Sequence, residues 1–254
     1  MAHGRLLGST LEYQAGYFTR DGSNARTSQT EGGRDAVAAR LVVSPFAAST
    51  HRNLTPIQIG VAVVDSHVDD RLGIRGRSAL GDSVFFDRVD VNGRRQRVGI
   101  EASGVTGPVA WVGEYVGISD ERLGMGFSGA DLSNAQAAGW YVAGTWTLIG
   151  ARDHGRLGDS WRIASSTLEL VGRVEALGAD ATTVATSEFG FPNPSTFAAN
   201  ADHATTFGVN WHLNRYARVQ ANVIRESIDD PNRSPAPAHG GHFLSTVIAM
   251  QLQL

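Results

Sequence analysis

The stretch RVGIEASGVTGPVAWVGEYVGIS, residues 97–119, decides the fold. Two runs, 97–105 and 109–119, alternate with period two, and only Thr106-Gly107-Pro108 lies between them. Successive side chains of a strand point to opposite faces, so Arg97, Glu101 and Glu114 share one face and Trp111 and Tyr115 the other. Alternating runs joined by so short a Gly/Pro connection form a β-hairpin.

The same alternation extends in both directions. Toward the N-terminus, residues 57–65 align Ile57, Ile59, Val61 and Val63; residues 36–45 set Ala39, Leu41 and Val43 against Ala38, Arg40 and Ser44; residues 11–20 set Leu11, Tyr13, Ala15 and Tyr17 against Glu12, Gln14, Gly16 and Arg20. Residues 72–78 place Leu72 and Ile74 opposite Arg75 and Arg77, and 83–91 form a further strand with an irregular pattern. Toward the C-terminus come 140–149, 167–177, a hairpin of 205–213 and 218–227, and a last strand, 243–254. Nothing long has helical periodicity, so the chain reads as all-β, an antiparallel wall of 11 or 12 strands over residues 1–254 as one domain.

The 254 residues carry 22 bases, all Arg, against 25 acids, with no Lys and no Cys. Scattered charge without a basic face argues against nucleic acid as a partner. The absence of Cys decides nothing about redox compartment. An all-Arg set follows from a GC-rich genome or from a need for permanently charged, planar groups. No stretch approaches the roughly 18 apolar residues of a membrane helix, but a barrel strand needs only about 9 to 11 alternating ones.

Connections alternate between short (106–108, 214–216) and long (120–137, 178–204, 229–241), as in outer-membrane barrels; the 150–166 connection breaks the rule. A face free of charge recurs from strand to strand, carrying Tyr13, Trp111, Tyr115, Trp140, Trp146 and Trp211. In a barrel these aromatics meet lipid and its interfaces, whereas in a secreted β-sandwich they are core.

Several stretches resemble the phosphate-selective porins O and P of Gram-negative outer membranes: LEYQAGYF (11–18), ARLVVSPF (39–46), IQIGVAVV (57–64), GIEASGVTGPVAWVGEYV (99–116), GWYVAGTWTLIG (139–150), NWHLNRYARVQANVIRESID (210–229) and the last strand. The resemblance implies a transmembrane up-and-down barrel of 16 strands that assembles as a homotrimer in the outer membrane. It also implies arginines lining the lumen, a constriction loop folded into the pore, and passive diffusion of small anions, phosphate among them. On that reading the chain is the C-terminal part of such a porin, without the signal peptide and first strands. The sequence departs from the family at two points: phosphate-selecting members place lysines near the constriction and this chain has none, and its last residue is Leu254 where an aromatic is usual.

The candidate anion path is Arg40, Arg75, Arg77, Arg97, Arg173 and Arg218 on the polar face, where rings of Arg favour anions. The alternative is that these pair with Glu12, Glu101, Glu114, Glu169, Glu175 and Glu226 on that face and select little. Both arrangements stay open at this level, although Arg75 and Arg77, lacking inward acids on their own strand, stand out as a positive track.

Enzymatic chemistry is not expected. Gly126-Phe127-Ser128-Gly129 is not a five-residue nucleophile elbow, so Ser128 reads as a loop residue. His51, His67, His154, His203, His212, His239 and His242 are dispersed without metal-site spacing. Asp69-Asp70 and Asp229-Asp230 read as solvated turn acids, and no cofactor or metal is expected. A barrel with a closed, non-conducting lumen is the remaining alternative to a porin.

Overall fold

The computed structural model describes residues 1–8, 10–19, 33–51, 53–73, 75–80, 83–86, 89–150, 166–180, 199–214, 216–232 and 240–252. Alternation becomes strands β1 (Ala2–Leu6), β2 (Leu11–Phe18), β3 (Gly33–Val43), β4 (Gln58–Leu72), β5 (Gly76–Arg77), β6 (Val84–Phe86), β7 (Asp90–Thr106), β8 (Val109–Arg122), β9 (Leu132–Ile149), β10 (Thr167–Asp180), β11 (Asn200–Asn214), β12 (Ala217–Ile228) and β13 (His242–Leu252). Eleven of them form one sheet in the order β1-β2-β3-β4-β7-β8-β9-β10-β11-β12-β13, and every neighbouring pair is antiparallel. This is the up-and-down wall of a transmembrane β-barrel. At the β7–β8 turn Gly107 has φ 55° and is followed by Pro108, which suits a type II′ hairpin, where Gly occupies the first central position.

Two segments expected in the wall are not there. β4 ends at Leu72, and β5 and β6 form a separate two-stranded sheet between β4 and β7. The stretches 72–78 and 83–91 therefore form a hairpin, apart from the few residues that extend β4 and β7. The physical reason lies in Phe85-Phe86: both are 1% exposed, and a strand with one polar face cannot bury two consecutive rings. Conversely β1, which was not expected as a strand because its alternation (Ala2, Gly4 and Leu6 against His3 and Arg5) spans only five residues, pairs with β2. Tyr13 lies over Gly4 and fills the gap left by the missing side chain.

Where large apolar residues sit separates the two faces. The buried apolar clusters are Val68, Val89, Val91 and Ala135, and Phe85, Phe86, Ala137, Ala179 and Ile228. The second holds both hairpin rings, so the hairpin marks the inner face. On the opposite face the large side chains are bare: Trp146 is 52% exposed, Ile248 76%, and Val63, Ile100, Trp140, Val142 and Phe207 are exposed too. A continuous apolar face of this kind is suited to lipid rather than to water. The described Trp residues are not enclosed between two sheets, which excludes the sandwich.

The height of this face fits a membrane. On β9 the outward apolar series runs from Ala138 to Leu148, about 33 Å along a strand at roughly 3.3 Å per residue, and a tilt of about 40° reduces it to roughly 25 Å. It ends at a row in register, Asp65–Gln96–Ser119–Gln136–Asp180. On β11 and β12 the polar boundary falls at His203 and Arg225, closer to the turn ends. The apolar band thus crosses the hydrogen-bond rows obliquely, as tilted barrel strands require.

Candidate functional site: the inner face and its hairpin

The chain leaves the wall at Gly73, whose N–H donates to Val89 O at 2.8 Å, so entry and exit of the hairpin are tied together. From there β5–β6 crosses to strands far along the sheet, with β6 against β11 and β5 against β10. Phe85 and Phe86 meet edge to face, centroids 5.0 Å apart, and pack on Ala137, Ala179 and Ile228. Polar ties accompany them. Asn200 Nδ2 donates to Phe85 O at 2.8 Å and to Asp230 O at 3.2 Å, and the Ala79 N–H donates to Glu226 Oε1 at 2.5 Å. Gly76 is required at its position, since a β-carbon there would collide with the Phe86 ring.

Beside the hairpin, cross-strand register lines up carboxylates. Glu101 opposes Glu114, Glu114 opposes Tyr141, Tyr141 opposes Glu175, Glu175 opposes Ala204, and Ala204 opposes Glu226. Four glutamates and a tyrosine thus occupy one row of the inner face. Arginines answer them: Arg40 pairs with Glu101, and Arg173 Nε donates to Glu175 Oε2 at 3.0 Å while its guanidinium lies 4.1 Å from the Tyr141 ring centre. Arg5 pairs with Glu12 at 3.3 Å. Toward the loop end Arg95 grips Asp120 with contacts of 2.6 and 2.8 Å, its side chain 13% and that of Asp120 2% exposed.

Of the six candidate arginines, Arg40, Arg97, Arg173 and Arg218 lie on inward positions of wall strands. Arg40 and Arg173 are in ion pairs, and Arg218 Nη2 donates to the neutral Gln251 Oε1 at 2.6 Å. Arg75 and Arg77 are corrected: they do not share the face of a wall strand. Arg75 precedes β5 and Arg77 ends it, with a register shift between Gly76 and Arg77. Arg75 is half-buried and Arg77 exposed on the hairpin.

Of the candidate acids, Glu169 faces His212 at 3.5 Å, both largely buried near the turn end of the wall. His203 and Asp229 stand 3.3 Å apart at the exposed loop-end rim. Among the described residues no group of three or more His, Cys, Asp or Glu is placed to hold a metal. His154, His239, Arg20 and Leu254, the 151–165 connection, and the side chains of Asp69 and Asp70 lie outside the described residues.

A model of the family described as phosphate-selective porin O and P matches residues 2–254. The chain belongs to that family. It is an outer-membrane porin, and its place is the bacterial outer membrane. Among solved structures this porin is similar to OmpT, in-vitro folded, an outer-membrane protein of Vibrio cholerae, with TM-score 0.51, 11% identity and coverage of 96% of this chain and 60% of that one. It is also similar to the trimer form of the same protein, with TM-score 0.50, 11% identity and coverage of 99% and 63%. Identity this low shows the fold alone, and this porin spans about 60% of the length of the OmpT chain. No curated protein gives a significant match.

Residues that sequence reasoning missed are Arg5, Arg95, Asp120 and Asp202, all on the inner face. Arg95 was within reach, since it lies two residues before Arg97 and shares its face. Asp202 and Asp120 lie on strand ends that run past the apolar band, where alternation in hydrophobicity fades.

Proposed function

We propose that this porin catalyses no reaction and lets small hydrophilic solutes diffuse passively across the outer membrane, small anions ahead of cations and phosphate among them. The observation that carries this reading is that the β5–β6 hairpin leaves the wall and lies against the inner-face strands β10 and β11, carrying Arg75 and Arg77 with it. Arg40 and Arg173 contribute little to anion preference, because carboxylates match them at short range and their fields largely cancel; Arg77, exposed on the hairpin, and Arg218, bonded to the neutral Gln251, are the arginines to which the preference is assigned first. Outer-membrane lipid covers the apolar face, and assembly as a homotrimer is part of the proposal, supported by the trimer form of the OmpT relative.

The test is the reversal potential of the reconstituted full chain in a salt gradient. Arg77→Ala with Arg75→Ala is expected to lower the anion-to-cation permeability ratio most at low salt, where the Debye length is about 30 Å at 0.01 M. Arg173→Ala is expected to change it less. A double variant with unchanged reversal potential would remove the hairpin arginines from the path.

A further inference from the structure

We infer that Asp202 and Glu226 share one proton and thereby latch the β5–β6 hairpin onto the wall, a latch that loosens as pH rises. The inference concerns how the hairpin is held and does not rest on ion conduction. Asp202 opposes Ile228 and Glu226 opposes Ala204, so the two carboxylates are diagonal neighbours on the inner face. They are 6% and 1% exposed and within reach of a hydrogen bond to one another. Both sit at the level of His203 and Arg225, beyond the apolar band.

Glu226 Oε1 accepts the Ala79 N–H, but Glu226 Oε2 and Asp202 Oδ1 are buried with no hydrogen-bond partner among the described residues. A buried polar atom left in that state is costly. One proton on Asp202 Oδ1, donated to Glu226 Oε2, satisfies both atoms, while Glu226 Oε1 still accepts the Ala79 N–H. Two charges there would repel each other out of reach of water.

From β10, Glu175 adds a negative field at Asp202, and its partner Arg173 lies on the same strand. From β11, the Asn200 amide is committed to Phe85 O and Asp230 O, while His203 occupies an outward position. From β13, Phe243 opposes Glu226. The hairpin gives the Ala79 amide and carries Arg75 and Arg77 on its β5 side.

The sign follows from proton counting. With the hairpin docked the pair holds a proton, whereas hydrated carboxylates release theirs above about pH 4. Above that pH docking therefore weakens with rising pH, by up to about tenfold per unit, until the docked pair has itself titrated.

Hydrogen exchange on the refolded full chain in detergent micelles, read at the amides of residues 76–86 and corrected for the intrinsic pH dependence of exchange, tests this. Protection of the unmodified protein is expected to fall by roughly tenfold or more between about pH 5 and pH 8. Asp202→Asn gives Glu226 Oε2 a donor at every pH and is expected to hold protection constant. Glu226→Gln, which keeps an acceptor for Ala79 and donates to Asp202, is expected to do the same. Folding of each variant is checked by its heat-modifiable electrophoretic shift. Constant protection in the unmodified protein, or the same fall in both amide variants, would overturn the latch. Because exchange needs no ion flow, a silent bilayer recording would count against the proposed conduction and leave this result standing.

Discussion

Arg40 on β3 reaches across β4 to pair with Glu101 on β7, passing over the bare backbone of Gly60. Gly60 opposes Glu101 in register, and a β-carbon there would collide with the Glu101 carboxylate. Three strands therefore cooperate in neutralising one arginine. Glu101→Gln is expected to release the Arg40 charge into the lumen and raise the anion-to-cation permeability ratio at low salt. Reversal potentials at about 0.01 M and 1 M salt check it, since screening at the higher concentration, with a Debye length of about 3 Å, should erase the difference.

The hairpin is held mainly by its two rings. Phe86→Ala is expected to weaken its docking by about 3–5 kcal/mol, the usual effect of emptying a buried aromatic site. Asn200→Ala removes the donor to Phe85 O and is expected to weaken it by about 1–3 kcal/mol. Exchange of the 76–86 amides measures both, and the rest of the sheet should keep its protection.

The outward face gives a depth-dependent test. Val142 lies within the apolar series of β9, so Val142→Arg is expected to destabilise the folded barrel by about 2–4 kcal/mol, measured by denaturant unfolding in lipid vesicles. Gln136→Arg, on the same face beyond the band, should cost about 0–1 kcal/mol. Equal effects at the two sites would show that the band does not sit in lipid.

Arg95 and Asp120 form a deeply buried ion pair in the wall, linking β7 to β8. Asp120→Ala leaves the guanidinium without its carboxylate and is expected to cost about 3–5 kcal/mol in the same unfolding experiment. The half-exposed Arg173–Glu175 pair, cut by Glu175→Ala, should cost no more than about 1 kcal/mol.

Period-two alternation was enough to read the wall, because lipid on one side and water on the other write the two faces into neighbouring residues. The GP turn and the hairpin of 205–213 with 218–227 were legible for the same reason. Alternation failed where the environment is not two-sided. Phe85 and Phe86, both buried, look irregular as a strand because they belong to a hairpin packed inside the wall. The loop-end extensions of β9 and β11 were missed because their outward residues meet water, and β1 because its five residues around Gly4 are too few for the period to stand out.

The lumen was legible by residue and not by partner. Arg40, Arg97, Arg173 and Arg218 fall on the inner face as the alternation implied. The partner of Glu101 is Arg40 across two strand boundaries, a relation fixed by register and by Gly60 rather than by spacing along the chain. The row of Glu101, Glu114, Glu175 and Glu226 depends on the same registers, and no single-strand count reveals it.

Single-channel recording of the refolded full chain in planar lipid bilayers tests the central claim most directly. A porin whose lumen is narrowed but not closed by the β5–β6 hairpin should insert with discrete conductance steps and, in a salt gradient, give a reversal potential of the sign set by anions. Folded protein that associates with the bilayer and passes no current would contradict it, and would leave a closed structural barrel as the description of this wall.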